Sequence, residues 1–193
     1  MLFSFVALSS FLVAAQAAAL STQSTACFTT HTGYLTSGGN DFGMGSDGMI
    51  VYPYTANNST KIKLSLQACP QMTGYGSYNY PTQYFGRLVA TETIAANQCL
   101  SVVPSASNLN ILNGKLKTCG SDYVPATDQS FLYTENDFGN QLLFAGLYNC
   151  TESSGTIIDS AGNPLTTTGT NLWQLQCIWD GNTSTFGLSG TWN

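Results

Sequence analysis

Residues 64–69 read Leu-Ser-Leu-Gln-Ala-Cys, a short strand that ends in a cysteine. Two later stretches have the same form: Gly-Lys-Leu-Lys-Thr-Cys at 114–119 and Leu-Trp-Gln-Leu-Gln-Cys at 172–177. A polar loop follows each one, and then a short segment closing on phenylalanine: Thr-Gln-Tyr-Phe at 82–85, Asp-Gln-Ser-Phe at 128–131 and Thr-Ser-Thr-Phe at 183–186. Each is also preceded by another cysteine, Cys27, Cys99 or Cys150. The order cysteine, strand ending in cysteine, loop, phenylalanine therefore occurs three times. Internal repetition of this kind predicts three similar supersecondary units sharing one core, with Phe85, Phe131 and Phe186 meeting inside it.

Around these stretches helical periodicity is almost absent. Short apolar runs alternate with turn chemistry at Gly38–Asp41, Pro53, Pro70, Asn113-Gly114, Gly162–Pro164 and Asp180–Asn182. Strands are expected at Gly48–Tyr54, Lys61–Ala68, Tyr84–Ala90, Cys99–Val103, Lys115–Thr118, Ser130–Thr134, Gln141–Ala145, Leu172–Ile178 and Thr185–Leu188. Residues 61–66 alternate strictly, which puts Ile62, Leu64 and Leu66 on one face. Many short, evenly spaced strands argue for an all-β sandwich or closed barrel. No linker or composition break interrupts residues 18–193, which read as one domain.

The first residues indicate the compartment. Leu2–Ala15 is an apolar, uncharged run followed by Ala15-Gln16-Ala17, the small-x-small form of a signal-peptidase site, so residues 1–17 read as a signal peptide. The run is too short to span a bilayer, which takes about 20 residues, and a soluble, secreted product is expected. Its six cysteines, Cys27, Cys69, Cys99, Cys119, Cys150 and Cys177, suit three disulfides in an oxidising compartment. Asn57, Asn58, Asn149 and Asn182 head glycosylation sequons. With 10 acidic and 5 basic residues the chain is acidic and has no basic cluster. It cannot neutralise a run of phosphates, so neither nucleic acid nor an anionic membrane is expected as a partner. No spacing suits a zinc site, and neither metal nor cofactor is expected.

The repeated segments resemble the ricin B-type lectin domain, whose units read roughly C-L-D-V, then Q-x-W-x-C, then N-Q-x-W. The clearest match is Cys99-Leu-Ser-Val102, Leu116–Cys119 and Asp128-Gln-Ser-Phe131, and the resemblance covers about Cys27 to Leu188. It implies a disulfide-stapled β-trefoil of three repeats, with degenerate sugar motifs. It also implies pairing within units, Cys27–Cys69, Cys99–Cys119 and Cys150–Cys177, whereas six cysteines alone permit 15 connectivities.

The same resemblance places a sugar-gripping acid two residues after the first cysteine of a unit. Those positions hold Thr29, Ser101 and Glu152, so only the third keeps a carboxylate. The family's strand aromatic is replaced by Gln67, Lys117 and Leu175, but Trp173 lies two residues before Leu175. Glu152 with Trp173 is thus the candidate sugar site, with Asn182 as a nearby amide. A second candidate is the tyrosine-rich segment Gly74–Tyr84, where Tyr75, Tyr78 and Tyr80 stand among Gly, Ser, Asn and Pro. Tyrosine in such a setting gives large contact area at small entropic cost.

Catalysis has less material. His31 is the single histidine, and no G-x-S-x-G elbow presents a serine to it. The carboxylates lie mostly in polar turns, where they bond to backbone amides. The expected function is extracellular carbohydrate binding without enzymatic activity. The alternative is a secreted protein binder, such as a protease inhibitor or effector.

Overall fold

A computed structural model describes residues 26–57, 59–72, 79–91, 96–106, 110–136, 139–146, 155–176 and 181–189. The protein is all-β, and its one helical turn among the described residues is the 3-10 segment Thr127–Gln129. The strands are β1 (Phe28–Ser37), β2 (Asn40–Asp41), β3 (Gly43–Met44), β4 (Ile50–Val51), β5 (Thr60–Lys61), β6 (Lys63–Ala68), β7 (Gln83–Ala90) and β8 (Gln98–Pro104). They continue as β9 (Ile111–Thr118), β10 (Phe131–Asn136), β11 (Gly139–Phe144), β12 (Gly155–Ile157), β13 (Gln174–Gln176), β14 (Thr183–Ser184) and β15 (Gly187–Ser189).

Six strands pair around a closed ring. β1 pairs with β6, β6 with β7, β7 with β10 and β10 with β11, all antiparallel. The bridge Leu142↔Phe186 joins β11 to the segment leading into β15, through backbone bonds of 2.8 and 3.2 Å. Leu35↔Leu188 then returns β15 to β1. Closure leaves the ring without a free edge. The period of two sends Leu64 and Leu66, Leu88, Phe131 and Tyr133, and Leu142 and Phe144 into one buried cluster. Ile62 is buried with Leu64 and Leu66, as the alternation of residues 61–66 requires.

Three hairpins pack at the end of the ring where β1 finishes: β3–β4, β8–β9 and β12–β13. Their second strands touch one another through Met49↔Lys115, Val51↔Leu172 and Leu175↔Leu112. Trp173 lies where they meet. Its N–H donates to the Ile50 carbonyl at 2.9 Å, and its own carbonyl accepts from Asn113 Nδ2 at 2.8 Å. Its ring packs on Phe42 and Phe186, with centroids 4.8 and 5.1 Å away.

Two of the three disulfides implied by the resemblance are present, Cys27–Cys69 and Cys99–Cys119. Cys150 and Cys177 lie outside the described residues. Bridges of this kind persist in oxidising environments. The cysteine-based alignment of units, however, does not match the strand plan. Cys27–Cys69 ties the start of β1 to the end of β6 in the ring, whereas Cys99–Cys119 ties the two strands of a hairpin. Adjacent strands approach closely in both places, with Cα atoms 4.2 and 4.9 Å apart, so either can hold a bridge.

Phe85 also departs from expectation. Phe131 and Phe186 meet edge-to-face at 6.0 Å in the core. Phe85 instead packs with Cys69 and Met72 in a second, smaller cluster. Tyr84, Gly86 and Leu88 take the inward phase of β7, which turns Phe85 and Arg87 the other way. The longest strand, β1, has no counterpart among the expected strands, because its Thr-Thr-His-Thr-Gly stretch lacks an apolar signal.

Candidate functional site at the mouth of the ring

The end of the ring opposite the hairpins is formed by the starts of β1, β7 and β11 and the ends of β6 and β10. These strands bring five aromatic side chains together. Tyr84 and Tyr133 face each other across the β7–β10 pair and stack at 4.6 Å. The His31 ring stacks on Tyr133 at 5.3 Å. Tyr80, in the turn before β7, packs on Tyr84 at 5.4 Å, and Phe28 meets Tyr80 edge-on at 5.4 Å. Tyr84 and Tyr133 are buried, whereas Tyr80 is 49 % and Phe28 40 % exposed. The inner rings thus form a fixed base and the outer pair a wet rim.

Hydrogen bonds lock that base. The Thr30 hydroxyl lies 2.8 Å from the Tyr84 hydroxyl and donates to the Leu66 carbonyl at 3.2 Å. His31 Nδ1 lies 3.1 Å from Thr30 Oγ1 and 3.2 Å from the Tyr84 hydroxyl. Tyr133 donates to Asn140 Oδ1 at 2.9 Å. Burial, with the Glu135 carboxylate adding to it, pushes the Tyr133 hydroxyl up to about 12, so it stays protonated and donating. Burial also lowers the pKa of His31, which Glu135 only partly opposes.

A pH dependence follows. The folded pKa of His31 lies below its unfolded value, so well above pH 6.5 the ring is neutral in both states and contributes no slope. As pH falls through 6.5 the unfolded chain takes up the proton first, and folding stability drops. The wild-type melting temperature is expected to fall more between pH 7 and pH 5 than that of His31→Gln, by calorimetry at both pH values. Equal losses in the two proteins would remove His31 from the account.

Arg87 supports the rim from behind. Only 7 % of its side chain is exposed; its Nε donates to Gln67 Oε1 at 2.8 Å and its Nη2 to Asp122 at 2.6 Å. Nη1 adds a bond to the Ser121 carbonyl at 3.2 Å. The Cys27 N–H then donates to the Asp122 carbonyl at 2.6 Å. The loop carrying the exposed side chains of Tyr123 and Val124 is thereby fastened one residue from Phe28.

The residues singled out in the sequence are distributed unevenly over this picture. Tyr80 stands on the rim, while Tyr75, Tyr78 and Glu152 lie outside the described residues, as do residues 1–17, Asn58 and Asn149. Trp173 is fully buried and presents no ring face to a ligand, which corrects its assignment as a sugar platform. Its indole Nε1 donates to the buried Thr156 hydroxyl at 3.1 Å, so even its polar edge is used internally. Asn57 and Asn182 are exposed. Gln129, in the Asp-Gln-Ser-Phe segment, is a buried clamp: its amide donates to Ser101 Oγ and the Thr118 carbonyl and accepts from the Gly120 N–H.

The sequence left Phe28, Thr30 and Tyr133 unmarked. Phe28 and Thr30 lie on β1 and Tyr133 on the distant β10, and only Phe28, next to Cys27, carried even an indirect signal. No group of three His, Cys, Asp or Glu side chains is placed to hold a metal among the described residues. No helix among them is long and apolar enough to cross a membrane. No protein-family model matches the chain, and no curated protein matches it significantly.

Proposed function

We propose that the protein is an extracellular carbohydrate-binding β-trefoil that takes its ligand on the aromatic mouth of the ring. Support for the fold comes from a closed ring of six strands with three hairpins whose second strands meet at one end. The apolar leader Leu2–Ala15 and the two disulfides support maturation through an oxidising, secretory route. The observation that carries the binding role is the exposed Tyr80–Phe28 pair standing on the hydrogen-bonded base of His31, Tyr84 and Tyr133. Exposed rings packed on such a base offer apolar faces to the C–H face of a pyranose and have less side-chain entropy to lose on binding than free ones. Glu135, exposed beside His31 and Tyr133, adds an acceptor for hydroxyl groups.

The test is a glycan array with purified full-length protein, followed by titration of the best hit against Tyr80→Ala. Because Tyr80 is half exposed, the variant is expected to fold normally and to bind at least about tenfold more weakly, a loss of about 1.4 kcal/mol. Undiminished binding would take the ligand away from the mouth.

A second reading has its own observation. Of the large hydrophobics that are exposed, Phe28, Tyr80, Tyr123 and Val124 all belong to this end of the ring or to the loop fastened to it. A patch of that kind also fits a protein partner. Silence across the array, together with a Tyr80-dependent protein complex, would select the protein-binding reading.

A further inference from the structure

A second, chemically different concavity lies at the hairpin end, away from the aromatic mouth. It is a cleft of about 340 Å³ between the loop joining β12 to β13 and the first hairpin, lined by Asn40, Tyr52, Pro53, Asn163, Pro164, Thr166 and Asn171. Pro164 and Tyr52 are buried and make the floor, while the three asparagines are exposed on the rim. No lining residue is charged.

Two of the amides are held by side-chain bonds that leave an oxygen available, and the third stands on a fixed backbone. Asn40 Nδ2 donates to the Tyr52 hydroxyl at 3.1 Å, and that hydroxyl donates to the Ser37 carbonyl at 3.3 Å, so Asn40 keeps its oxygen for a ligand. Asn163 sits in a turn organised by Asp159, whose Oδ1 accepts from the Ala161 and Asn163 N–H groups at 2.8 and 2.9 Å. The same carboxylate faces Asn163 Nδ2 at 3.4 Å, so this amide also presents its oxygen. Asn171 adopts the left-handed conformation, φ 55°, with its N–H on the Thr167 carbonyl and its carbonyl on the Tyr52 N–H. Its backbone is thus fixed, and its side-chain amide makes no hydrogen bond among the described residues.

The cleft has a counterpart elsewhere in the fold. A larger concavity of about 600 Å³ lies between the β3–β4 turn, Met44–Gly48, and the next hairpin at Gln98 and Leu116. In both places the turn of one hairpin meets the base of the next. The larger one includes the sequon residue Asn57, so a glycan there would share its space. The smaller one has no sequon residue in its lining.

We infer that the Asn40–Asn163–Asn171 cleft is a separate binding site for a single neutral pyranose, such as the terminal residue of an uncharged glycan. Two amide oxygens and one complete amide match the donor and acceptor pairs of adjacent hydroxyls, and the proline and tyrosine floor matches a ring's C–H face. An anionic sugar gains no cation here.

Amide-detected NMR on the full chain tests the site, with glucose, mannose, galactose and N-acetylglucosamine added singly at millimolar concentration. At least one sugar is expected to shift the side-chain amides of Asn40, Asn163 and Asn171. Asn171→Gly keeps the left-handed backbone and removes the amide, and it should weaken that sugar at least about tenfold. Asn40→Ala, at the exposed start of β2, gives an independent reading should Asn171→Gly fold poorly. Tyr80→Ala should leave these shifts intact. Shifts confined to the mouth, binding unchanged in both asparagine variants, or no shift of these amides with any of the four sugars would overturn the cleft site. The first of those outcomes would leave the mouth as the carbohydrate site, whereas binding at the cleft alone would overturn the mouth.

Discussion

Trp173→Ala is expected to destabilise the protein by about 3–5 kcal/mol, the range for removing a large aromatic from a packed core. The ring is fully buried between Phe42 and Phe186 and sits where the three hairpins converge. Its loss leaves a cavity walled by three hairpins whose backbones are already paired to one another, so collapse around it is limited. It also strands the buried Thr156 hydroxyl, which costs about 1–3 kcal/mol when left without a partner. Trp173→Phe should retain most of the packing and lose chiefly that bond. Urea unfolding of the three proteins measures both quantities, and a loss under about 1 kcal/mol for Trp173→Ala would contradict this placement. The neighbouring Gly114 supplies a coupled check. A Cβ there would lie 2.6 Å from the Trp173 ring and 3.0 Å from Ile50, so Gly114→Ala should cost less once Trp173 is alanine.

Gly86→Ala is expected to cost at least about 3 kcal/mol, at or beyond the upper end for overpacking. Gly86 lies in β7 between β6 and β10, opposite Ala68 on one side and Phe131 on the other. A Cβ at this position would stand 2.0 Å from the Gln67 carbonyl oxygen and 2.9 Å from its carbon. Those are backbone atoms of a paired strand, so no side-chain rotation relieves the overlap, and β6 and β7 must separate. The damage would fall beside the Arg87–Gln67 bond and the Cys27–Cys69 bridge that position the rim of the mouth. Chemical unfolding gives the cost, and a Gly86→Ala protein as stable as wild type would show that the strands at this seam are not packed as described.

Much of the fold was legible in residue order. Strict alternation at 61–66 placed Ile62, Leu64 and Leu66 in the interior, because a strand's side chains alternate whatever surrounds them. Even cysteines, an apolar leader and the absence of a helical period pointed to an all-β protein with disulfides. What order could not supply was phase and distance. Alternation says that Tyr84 and Phe85 face opposite ways, but closure of the ring decided that Tyr84 goes inward and Phe85 goes to the disulfide. Trp173 stands in an expected strand, where the family resemblance implied a ligand platform; three hairpins converging on it made it core. The aromatic mouth joins residues near 30, 80 and 133, and the amide cleft joins residues near 40, 163 and 171. Local pattern records the periodicity of one strand, whereas sites of this kind exist only once antiparallel pairing has carried distant strands to the same end of the ring.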